Sequence, residues 1–465
     1  MSRVFSPAGL ADTLPELPAG ARWWVGYSGG LDSTVLLHAM VHLGHSGERL
    51  AALHVHHGLQ PDADRWAAHC EATCRRLGVI CRSVRVDARP GRRESPEAAA
   101  RRARYAAFEA ALGPDDILLL AHHADDQLET LLLRLLRGAG TRGLAGMPVS
   151  RALGAGRLHR PLLGWSRAAL HGYASATGLA WIEDPSNAAL AADRNHLRHA
   201  VVPMLRARWP DVSTRAARTA AQLAEDAGLL GELAQIDLGG SRIIDEEGVL
   251  ALAALPLATL RALSPARCCN ALREALRLRA LEPPPSAARL QEFARQLGEA
   301  GDDRRVSLHW AGGELRCEGA RLWLLSKLPV PPQTTVTLRP GRCHEDTCGH
   351  LWLAPATPAG QAGECLLLPG ELEDGVEVVY RAGGERFGRG RGRRLSALLQ
   401  SRGVPAWLRP RLPLVRTGGR VIGVAGRHPR LNPQPSGTGA TWQVCWAPAA
   451  ALLPGLEAPQ SRVDL

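Results

Sequence analysis

Lysine is almost missing from this chain: Lys327 is the only one among 465 residues. The positive charge is therefore carried by arginine, whose planar guanidinium group makes paired hydrogen bonds with phosphate. No lysine before Lys327 is available to bind a phosphate or to form a Schiff base. This absence excludes the common nucleotide-binding loop that ends in Gly-Lys-Ser or Gly-Lys-Thr.

Long apolar runs are also missing. The run "ILLLA", Ile117–Ala121, is far shorter than the ~20 residues that span a bilayer, so we expect no membrane partner. The N-terminus, "MSRVFSPAGLADTLPELP", has no uninterrupted apolar segment, so we expect no signal peptide. Without a secretory signal, the ten cysteines are expected to be reduced thiols rather than disulfides. The sequence therefore predicts a cytoplasmic protein.

Acidic residues are too few to balance the arginines, and the net charge is +11 with a pI of about 9.7. A basic protein of this kind commonly binds a polyanion, and nucleic acid is the first candidate. The alternative is compositional drift, because a chain rich in Arg, Ala and Gly can be basic without a function for the charge. Charge alone favours nucleic acid and leaves both explanations open.

Strand and helix patterns alternate along the first ~210 residues. Helices with an apolar face separate the apolar segments, and one of them has Ser95 as a predicted N-cap followed by Pro96. This alternation predicts an α/β fold with a parallel, five-stranded, doubly wound sheet whose ligands bind where the strands end. The predicted strands are "RWWVGY", "LAALHVHHG", "VICRSVRVD", "DILLLAHH" and "LAWIED".

The chain is long enough for about two to four domains of ~100–200 residues each. We expect a sheet domain over residues 1–212, a mainly helical middle domain over residues 213–328 and a small α+β domain over residues 329–465. The middle domain ends in a predicted hairpin, "RRVSLHWAGGELRCEGARLWLL". A proline-rich segment, "KLPVPPQTT", marks the second boundary.

A glycine-rich loop, "SGGLDST" over Ser28–Thr34, joins the first predicted strand to the first long helix. Backbone N–H groups and hydroxyl groups at a helix N-terminus bind anions such as phosphate. Asp32 would repel a phosphate unless it holds a cation, so it predicts Mg²⁺. Taken alone, Asp32 is better explained as an ordinary helix-start residue. The flanking Ser-Gly-Gly and Ser-Thr favour the phosphate site instead.

A second polar cluster, "AHHADDQLET" over Ala121–Thr130, follows the fourth predicted strand. Asp125, Asp126 and Glu129 fall within the first helical turns, where this spacing brings side chains together. Acidic residues at a helix start are common caps, which is the ordinary explanation. Three of them beside two histidines exceed what capping needs, so we expect them to bind Mg²⁺ or a cationic substrate.

The second predicted strand ends in histidines, "HVHHGL" over His54–Leu59. His54 and His56 share one face of a strand and His57 takes the other. No fourth ligand is evident, so the pattern favours polar lining of a nucleotide site over a zinc site.

Three further segments are candidates for function. The segment "ARRARYAAF" places Arg101, Arg104 and Tyr105 at helical spacing, which fits an ordinary surface face. Beside a phosphate site, however, its guanidinium groups would stabilise a displacement at phosphorus. The basic, glycine-rich segment "LLRGAGTRGLAGM", Leu135–Met147, is suited to gripping a nucleic-acid backbone. The segment "CHEDTCGH", Cys343–His350, matches no zinc spacing, so turn residues explain it better.

Eight segments occur in one characteristic order: "SGGLDS", "HVHHGL", "ARRARYAAF", "AHHADDQLET", "LLRGAGTRGLAGM", "RPLL", "EDPSN" and "RNHLRHAVVP". In this order they resemble the tRNA(Ile)-lysidine synthetase family, a branch of the PP-loop ATP pyrophosphatase superfamily. The resemblance is dense over residues 1–205. It resumes weakly at "RAGGERF" and "LSALLQSRGVPAWLRPRLPLV", and the middle region is similar only in length and character.

The resemblance implies an enzyme that uses ATP and Mg²⁺. ATP would adenylate the C2 oxygen of the wobble cytidine in an isoleucine tRNA with a CAU anticodon, and free L-lysine would then displace AMP. The product, lysidine, would switch the codon that is read from AUG to AUA. The implied partners are this tRNA and free lysine, with a homodimer as a further expectation.

The resemblance also implies roles for individual residues. The ATP-binding set is Ser28, Gly29, Gly30, Leu31, Asp32, Ser33, Thr34 and His56, with Asp32 also facing Mg²⁺. The catalytic set is Asp32, Arg104, His123 and Asp126. The lysine-binding set is Asp125, Asp126 and Glu129. The tRNA-binding set is Arg137, Arg142, Arg194, Asn195, Arg198 and Arg386.

One position departs from the family pattern: His56 stands where the family usually has asparagine. A polar ring remains at the strand end, so we expect ATP binding to survive, with mild pH dependence from the imidazole. The two later domains are expected to bind the tRNA.

Two rival functions are considered. A PP-loop tRNA thiolation enzyme would use paired cysteines, and Cys70 and Cys74 are expected on a helix far from the strand ends, which counts against it. A non-catalytic tRNA-binding protein would not need the Ser28–Thr34 and Ala121–Thr130 segments to be intact.

Overall fold

The computed structural model describes residues 4–58, 62–91, 94–183, 193–239, 254–299, 306–355, 365–367, 376–387, 393–401, 404–426 and 442–449. Leu59, Asp184–Asn187 and parts of the basic C-terminal run therefore lie outside the described residues. The chain divides into two compact units, Met1–Leu229 and Leu230–Leu465. The predicted division into three domains stays a prediction.

The first unit contains a six-stranded sheet in the order β3-β2-β1-β4-β6-β5. All neighbouring strands pair in parallel except the last two, which form an antiparallel hairpin. The predicted parallel, doubly wound sheet is confirmed. The strands are β1 (Trp23–Gly26), β2 (Leu50–His56), β3 (Ile80–Arg85), β4 (Ile117–Leu119), β5 (Ser150–Leu153) and β6 (Gly156–His159).

The predicted fifth strand, "LAWIED", is wrong. Its described residues, Leu179–Glu183, are not in a strand, and β6 takes the fifth parallel position. The backbone N–H of Ile182 instead donates to the carbonyl of Gly29 at 2.9 Å. Leu179 and Trp181 pack against the core as partly buried side chains. The apolar pattern was therefore a sign of burial beside the Ser28–Thr34 loop rather than of strand pairing.

Helices connect the strands, and several begin at the residues that the sequence predicts. Ser95 caps one helix by accepting the N–H of Ala98 at 3.2 Å, and Pro96 takes the first position. A π-helical turn, Leu197–Val201, joins two of them. The helices are α1 (Pro7–Ala11), α2 (Leu31–His42), α3 (Ala63–Arg76), α4 (Pro96–Ala111), α5 (Ala124–Leu136), α6 (Thr141–Leu144), α7 (Arg167–Ala176), α8 (Asp193–His196), α9 (Val202–Arg208) and α10 (Val212–Asp237).

Two apolar cores cover the two faces of this sheet, because successive side chains of a strand point to opposite sides. Trp23 and Val25 of β1 are buried with side chains of α2, α3 and α7. Trp24 is buried on the other face with Phe108 of α4. The strand order reverses between β1 and β4, which makes their carboxyl ends the expected ligand-binding edge.

The second unit is built from antiparallel sheets and short helices. The predicted single hairpin before Lys327 is two hairpins, β8–β9 and β9–β10, and β7 adds a fourth strand. The other sheets have the orders β11-β15-β18-β19-β16-β17 and β12-β13-β20-β14. The helices are α11 (Leu257–Arg261), α12 (Pro265–Leu278), α13 (Ala287–Glu299) and α14 (Leu395–Ser401).

The strands of the second unit are β7 (Ala254–Pro256), β8 (Ser307–Trp310), β9 (Gly313–Glu318), β10 (Arg321–Leu325), β11 (Val336–Leu338), β12 (Cys343–Asp346), β13 (Gly349–Pro355), β14 (Cys365–Leu367), β15 (Val376–Val379), β16 (Arg386–Phe387), β17 (Arg393–Arg394), β18 (Leu414–Thr417), β19 (Arg420–Val424) and β20 (Trp442–Pro448). The segment Cys343–His350 is thus a hairpin turn, as predicted. Tyr380 donates its hydroxyl hydrogen to Asp346 Oδ2 at 2.8 Å beside this turn. The carboxylate therefore has a structural partner there.

Candidate active site

The Ser28–Thr34 loop turns the chain from β1 into α2, and it needs glycine at its centre. Gly29 has φ +81°, a left-handed conformation that side chains disfavour. A Cβ atom on Gly29 would lie 2.9 Å from Cys70 Sγ and 3.1 Å from Ile182 Cδ1. The turn is therefore packed tightly from below and leaves its backbone exposed only on the ligand side.

The hydroxyl groups of the loop fix its shape. Ser33 Oγ donates to the carbonyl of Gly30 at 3.0 Å, and Thr34 Oγ1 donates to the same carbonyl at 2.9 Å. The backbone N–H of Ser28 donates to Ser33 Oγ at 3.3 Å. Gly30 begins α2 and supplies no side-chain cap. The first-turn N–H groups, including that of Leu31, therefore face the site as donors for an anion.

Asp32 lies in the first turn of α2 and carries an oxygen without a partner. Its Oδ1 is buried and accepts no hydrogen bond, and Arg167 Nε is 3.9 Å away. Its Oδ2 lies 3.6 Å from Nε2 of His123. Mg²⁺ in nucleotide sites is commonly held by one or two carboxylates together with substrate phosphates. The orphaned oxygen of Asp32 beside an anion-binding helix end fits that role.

His123 comes at the end of the segment that follows β4, directly before α5. Its Nε2 is 3.5 Å from Asp126 Oδ2, and its backbone N–H donates to the same oxygen at 3.0 Å. Burial lowers the pKa of His123, but the carboxylates of Asp126, Asp32 and Glu129 outweigh burial and raise it above its ordinary value. The ring thus lies between the loop and the carboxylate cluster, and the carboxylates favour its charged form.

The carboxylates of Asp126 and Glu129 are paired with two arginines of the helical segment that begins at Asp193. Arg194 Nε donates to Glu129 Oε2 at 2.6 Å, and Arg198 Nε donates to Glu129 Oε1 at 2.7 Å. Both guanidinium groups also reach Asp126 Oδ1, at 3.2 and 3.4 Å. Burial raises the pKa of Asp126, but His123, His122 and Arg194 lower it to about 2.

Asp125 is buried in a separate set of contacts. It accepts the backbone N–H of Arg167 at 2.6 Å and the hydroxyl of Ser213 at 2.6 Å, and it contacts Arg206 Nη2. These bonds tie α5 to the starts of α7 and α10. The structure therefore brings Asp126 and Glu129 together and bonds Asp125 to the scaffold, with Asp125 Oδ2 also 3.4 Å from Nδ1 of His123. Lysine binding by these carboxylates stays a prediction, and in these contacts each of them is already hydrogen-bonded.

The end of β2 adds two histidines, His56 and His57, to the same edge of the sheet. His56 is buried and its Nε2 is 3.1 Å from Asp64 Oδ1. Arg104 Nε donates to His57 Nε2 at 3.4 Å. Burial and the neighbouring Arg104 lower the pKa of His57 to about 4, so the ring is neutral at pH 7. His54 is also accounted for, because its Nδ1 lies 3.0 Å from the carbonyl of Tyr27.

The glycine-rich segment after α5 is held by α5 itself. Gln127 donates to the carbonyl of Met147 at 3.0 Å, and Arg134 donates to the carbonyl of Gly143 at 2.6 Å. Arg137 is exposed and 3.5 Å from Asp193, and Arg142 donates to the carbonyl of Ala227 at 3.5 Å. Asn195 lies on α8 and Arg386 is exposed on β16. Their contacts with tRNA stay predictions.

Several contributors were missed by sequence reasoning. Arg167 approaches Asp32, and Arg160 joins His122 to Tyr105, with its Nε donating to His122 Nδ1 at 3.3 Å. "RPLL" had marked Arg160 as part of the segment order, but no role was assigned. Nothing in the local sequence marks Arg167, because only the fold brings it to the loop.

The position of Cys70 differs from the one that the sequence predicts. It was expected far from the strand ends, yet its Sγ lies directly below Gly29. It is fully buried, and burial raises the pKa of its thiol to about 12. Cys70 is therefore a protonated core side chain of the loop rather than a reactive thiol.

Within the described ranges, no group of three or more His, Cys, Asp or Glu side chains is arranged to hold a metal ion. In the same ranges, no helix is long and apolar enough to cross a membrane.

The loop at the switch point, with uncapped backbone donors and an acidic first turn, defines a PP-loop ATP-binding domain. Residues 10–205 match the model of a family described as a PP-loop domain. Residues 255–323 match a TilS substrate binding domain, and residues 376–446 match a TilS substrate C-terminal domain.

Whole-chain relatives agree with these matches. The tRNA(Ile)-lysidine synthase of Alkalilimnicola ehrlichii is 44% identical over 92% of this chain and 95% of its own length. The enzyme of the same name from Pseudomonas aeruginosa is 45% identical over 92% of this chain and 93% of its own length. This chain belongs to the tRNA(Ile)-lysidine synthase family. Among solved structures, a tRNA thiolase from Methanococcus maripaludis, solved with its iron–sulfur cluster, aligns with 47% of this chain and 78% of its own, at TM-score 0.39 and 16% identity.

Proposed function

We propose that this protein joins free L-lysine to C2 of the wobble cytidine of an isoleucine tRNA with a CAU anticodon, converting ATP to AMP and diphosphate. The proposal has two supports: membership of the tRNA(Ile)-lysidine synthase family and a PP-loop site with open anion donors. The observation that carries it is Asp32 Oδ1, which is buried and accepts no hydrogen bond, beside the uncapped start of α2.

In the activation step, the N–H groups of Gly29, Leu31, Asp32 and Ser33 bind the phosphates that leave as diphosphate, while the hydroxyls of Ser33 and Thr34 hold the shape of the loop. Asp32 would hold Mg²⁺, which would supply positive charge beside the departing phosphates. His56 lines the nucleotide site at the end of β2. His123 faces the phosphate that remains on the activated cytidine, and Arg104 assists from α4.

In the second step, lysine attacks C2 and AMP leaves. We place the lysine ammonium near Asp126 and Glu129, with Asp125 fixing α5 rather than touching the substrate. Arg194 and Arg198 occupy these carboxylates in the free protein. Both arginines are proposed tRNA contacts, so phosphates of the bound tRNA would draw them away and release carboxylate oxygens for lysine. Equilibrium dialysis tests this step: labelled lysine should be retained with tRNA present and not without it.

The remaining assignments belong to the same proposal. Residues 1–212 carry catalysis, while residues 213–328 and 329–465 bind the tRNA, with Arg386 as a contact in the last part. Arg137, Arg142 and Asn195 contact the RNA near the glycine-rich segment. A cytoplasmic location and a homodimer complete the proposal, since ATP, free lysine and tRNA meet in the cytoplasm.

The test is incubation of the purified protein with ATP, Mg²⁺, radiolabelled lysine and total tRNA, followed by isolation of the labelled tRNA. We expect label in isoleucine tRNA only, at the wobble cytidine. Label in no tRNA, or sulfur transfer when a sulfur donor replaces lysine, would overturn the proposal. The thiolation rival is disfavoured by Cys70, the cysteine below the loop, because its thiol is buried and protonated.

A further inference from the structure

A basic pocket lies along α4, next to the turn that carries Arg104. Its volume is about 490 Å³, and α4 and the hairpin strand β5 supply its walls. Its lining residues are Ala98, Arg101, Arg102, Tyr105, Glu109, Arg151 and Leu153. None of these has a role in the activity proposed above.

Three arginines line the pocket against one carboxylate, that of Glu109, so its net charge is positive. Arg102 is paired with Glu94 at 3.0 Å. Arg101 and Arg151 are exposed, and within the described residues neither forms an ion pair with a carboxylate. Uncompensated guanidinium groups that converge on one cavity are suited to a phosphate, which they bind through paired hydrogen bonds.

Tyr105 organises these arginines. The guanidinium carbon of Arg101 lies 4.9 Å from the centre of the Tyr105 ring, and that of Arg151 lies 5.2 Å from it. The Tyr105 hydroxyl oxygen accepts from Arg101 at 3.4 Å and from Arg160 at 3.5 Å. Because guanidinium groups already occupy the ring, a stacked base has no free platform there. The chemistry favours a backbone phosphate over a nucleobase.

The pocket is connected to the catalytic edge through one side chain. Arg160 reaches Tyr105 with Nη2, donates to the carbonyl of Pro148 at 2.7 Å with Nη1, and donates to His122 with Nε. His122 directly precedes His123. An anion held beside Tyr105 would therefore have a fixed position relative to the catalytic histidine.

We propose that the pocket binds a backbone phosphate of the tRNA substrate through Arg101 and Arg151, and that it aligns the RNA with the site at the ends of β1 and β4. The inference rests on the proposed function for the identity of the RNA. The phosphates of ATP are already assigned to the Ser28–Thr34 loop, which leaves the RNA backbone as the phosphate source for this pocket.

The test is the double variant Arg101→Gln/Arg151→Gln in the full-length protein. The matched control is Arg75→Gln/Arg82→Gln, which removes two exposed arginines from α3 and β3 in the same unit. Filter binding of isoleucine tRNA is measured across a salt series, and KM is measured separately for tRNA and for ATP. A thermal melt within about 2 °C of the wild type shows that each variant is folded.

The proposal expects weaker tRNA binding for the pocket variant at every salt concentration and a salt slope reduced by about 1 for each lost phosphate contact. KM for tRNA should rise about tenfold while KM for ATP stays unchanged, with the control near wild type. Equal slopes for the two variants, or a parallel rise in KM for ATP, would overturn it. If the wild type binds tRNA but incorporates no lysine, only the proposed function fails, because the binding comparison remains valid.

Discussion

The polar groups that follow β1 and β4 differ in whether the protein itself supplies their hydrogen-bond partners. We call the loop after β1, Ser28–Thr34, the open region and the carboxylates after β4, Asp126 and Glu129, the closed region. After β1, the start of α2 is uncapped and Asp32 Oδ1 has no hydrogen-bond partner. After β4, the carboxylates of Asp126 and Glu129 accept hydrogen bonds from Arg194 and Arg198. A buried polar group without a partner is costly unless a ligand satisfies it. The first region is therefore built to contact a ligand, and the second is built to hold its own shape until substrates arrive.

The largest effect should come from the open region. Asp32→Ala should lower ATP–pyrophosphate exchange about 10³-fold, because the carboxylate that holds Mg²⁺ is lost, and it should leave tRNA binding within a few-fold. Exchange of labelled pyrophosphate into ATP and filter binding of tRNA measure the two effects. Asp12→Ala, at an exposed position after α1, is the control. An equal loss of exchange and of tRNA binding would assign Asp32 a structural role instead.

A substitution in the closed region should lower the free energy of unfolding. Glu129 is buried, and Glu129→Gln removes the closer carboxylate of both guanidinium groups and leaves them only Asp126, so it should cost up to about 3 kcal/mol of unfolding free energy. Glu292→Gln on α13 removes an exposed pair with Arg295 and should leave the free energy of unfolding nearly unchanged. Urea unfolding followed by circular dichroism compares them. Similar losses in both variants would show that burial does not distinguish the Glu129 pairs.

Two glycines with positive φ, Gly29 in the loop and Gly44 outside it, allow the effect of backbone strain to be measured separately from the effect on activity. Gly29→Ala and Gly44→Ala both place a side chain at positive φ, which costs roughly 1 kcal/mol of stability each. Only at Gly29 does the new Cβ meet other atoms, Cys70 Sγ and Ile182 Cδ1. We therefore expect pyrophosphate exchange to fall about 100-fold for Gly29→Ala alone, because the loop shifts from its ligand position. Equal activity in the two variants would contradict the packing argument.

The smallest effect on stability should appear at His57, which follows β2. One of its ring nitrogens has a hydrogen-bond partner and the other has none among the described residues. Its Nε2 accepts from Arg104, and its Nδ1 is buried without a partner. Its pKa of about 4 lies below the ordinary value of about 6.5, so the unfolded chain binds the proton more tightly between these values. The contribution of His57 to stability should therefore be present above pH 6.5 and be lost as pH falls to about 4.

The measurement is the urea midpoint at pH 4.5 and at pH 6.5. The wild type should lose more stability than His57→Asn on going from the higher to the lower pH, with exposed His171→Asn behaving like the wild type. A larger loss of stability in His57→Asn than in the wild type would contradict the lowered pKa of His57.

The sequence could predict the open region well and the closed region only in part. "SGGLDST" combines turn glycines, hydroxyls and an acidic first turn within seven residues, so its function is local and visible. The pairing of Glu129 with Arg194 and Arg198 joins residues 65 and 69 positions apart, and nothing in the local pattern sets that distance. The acidic residues on α5 predict Mg²⁺ or a cationic substrate, and this stays a prediction; in the structure Asp126 and Glu129 are paired with the chain's own arginines.

The misassigned fifth strand has a similar cause. "LAWIED" has the apolar content of a buried strand, but Ile182 uses its backbone N–H to support Gly29. The strand that replaces it, β6, has the sequence "GRLH" and pairs with "SRAL" through a tight turn. Short strands with polar and glycine residues give a weak periodic signal, so tertiary pairing decided the outcome.

The central claim is that the open loop cleaves ATP between its α- and β-phosphates to activate the tRNA for lysine. Nucleotide products can be separated and counted during single turnovers with isoleucine tRNA, labelled lysine and labelled ATP. The account predicts one AMP and one diphosphate for each lysine incorporated. ADP and inorganic phosphate as the products, or AMP formed without lysine incorporation into tRNA, would contradict it.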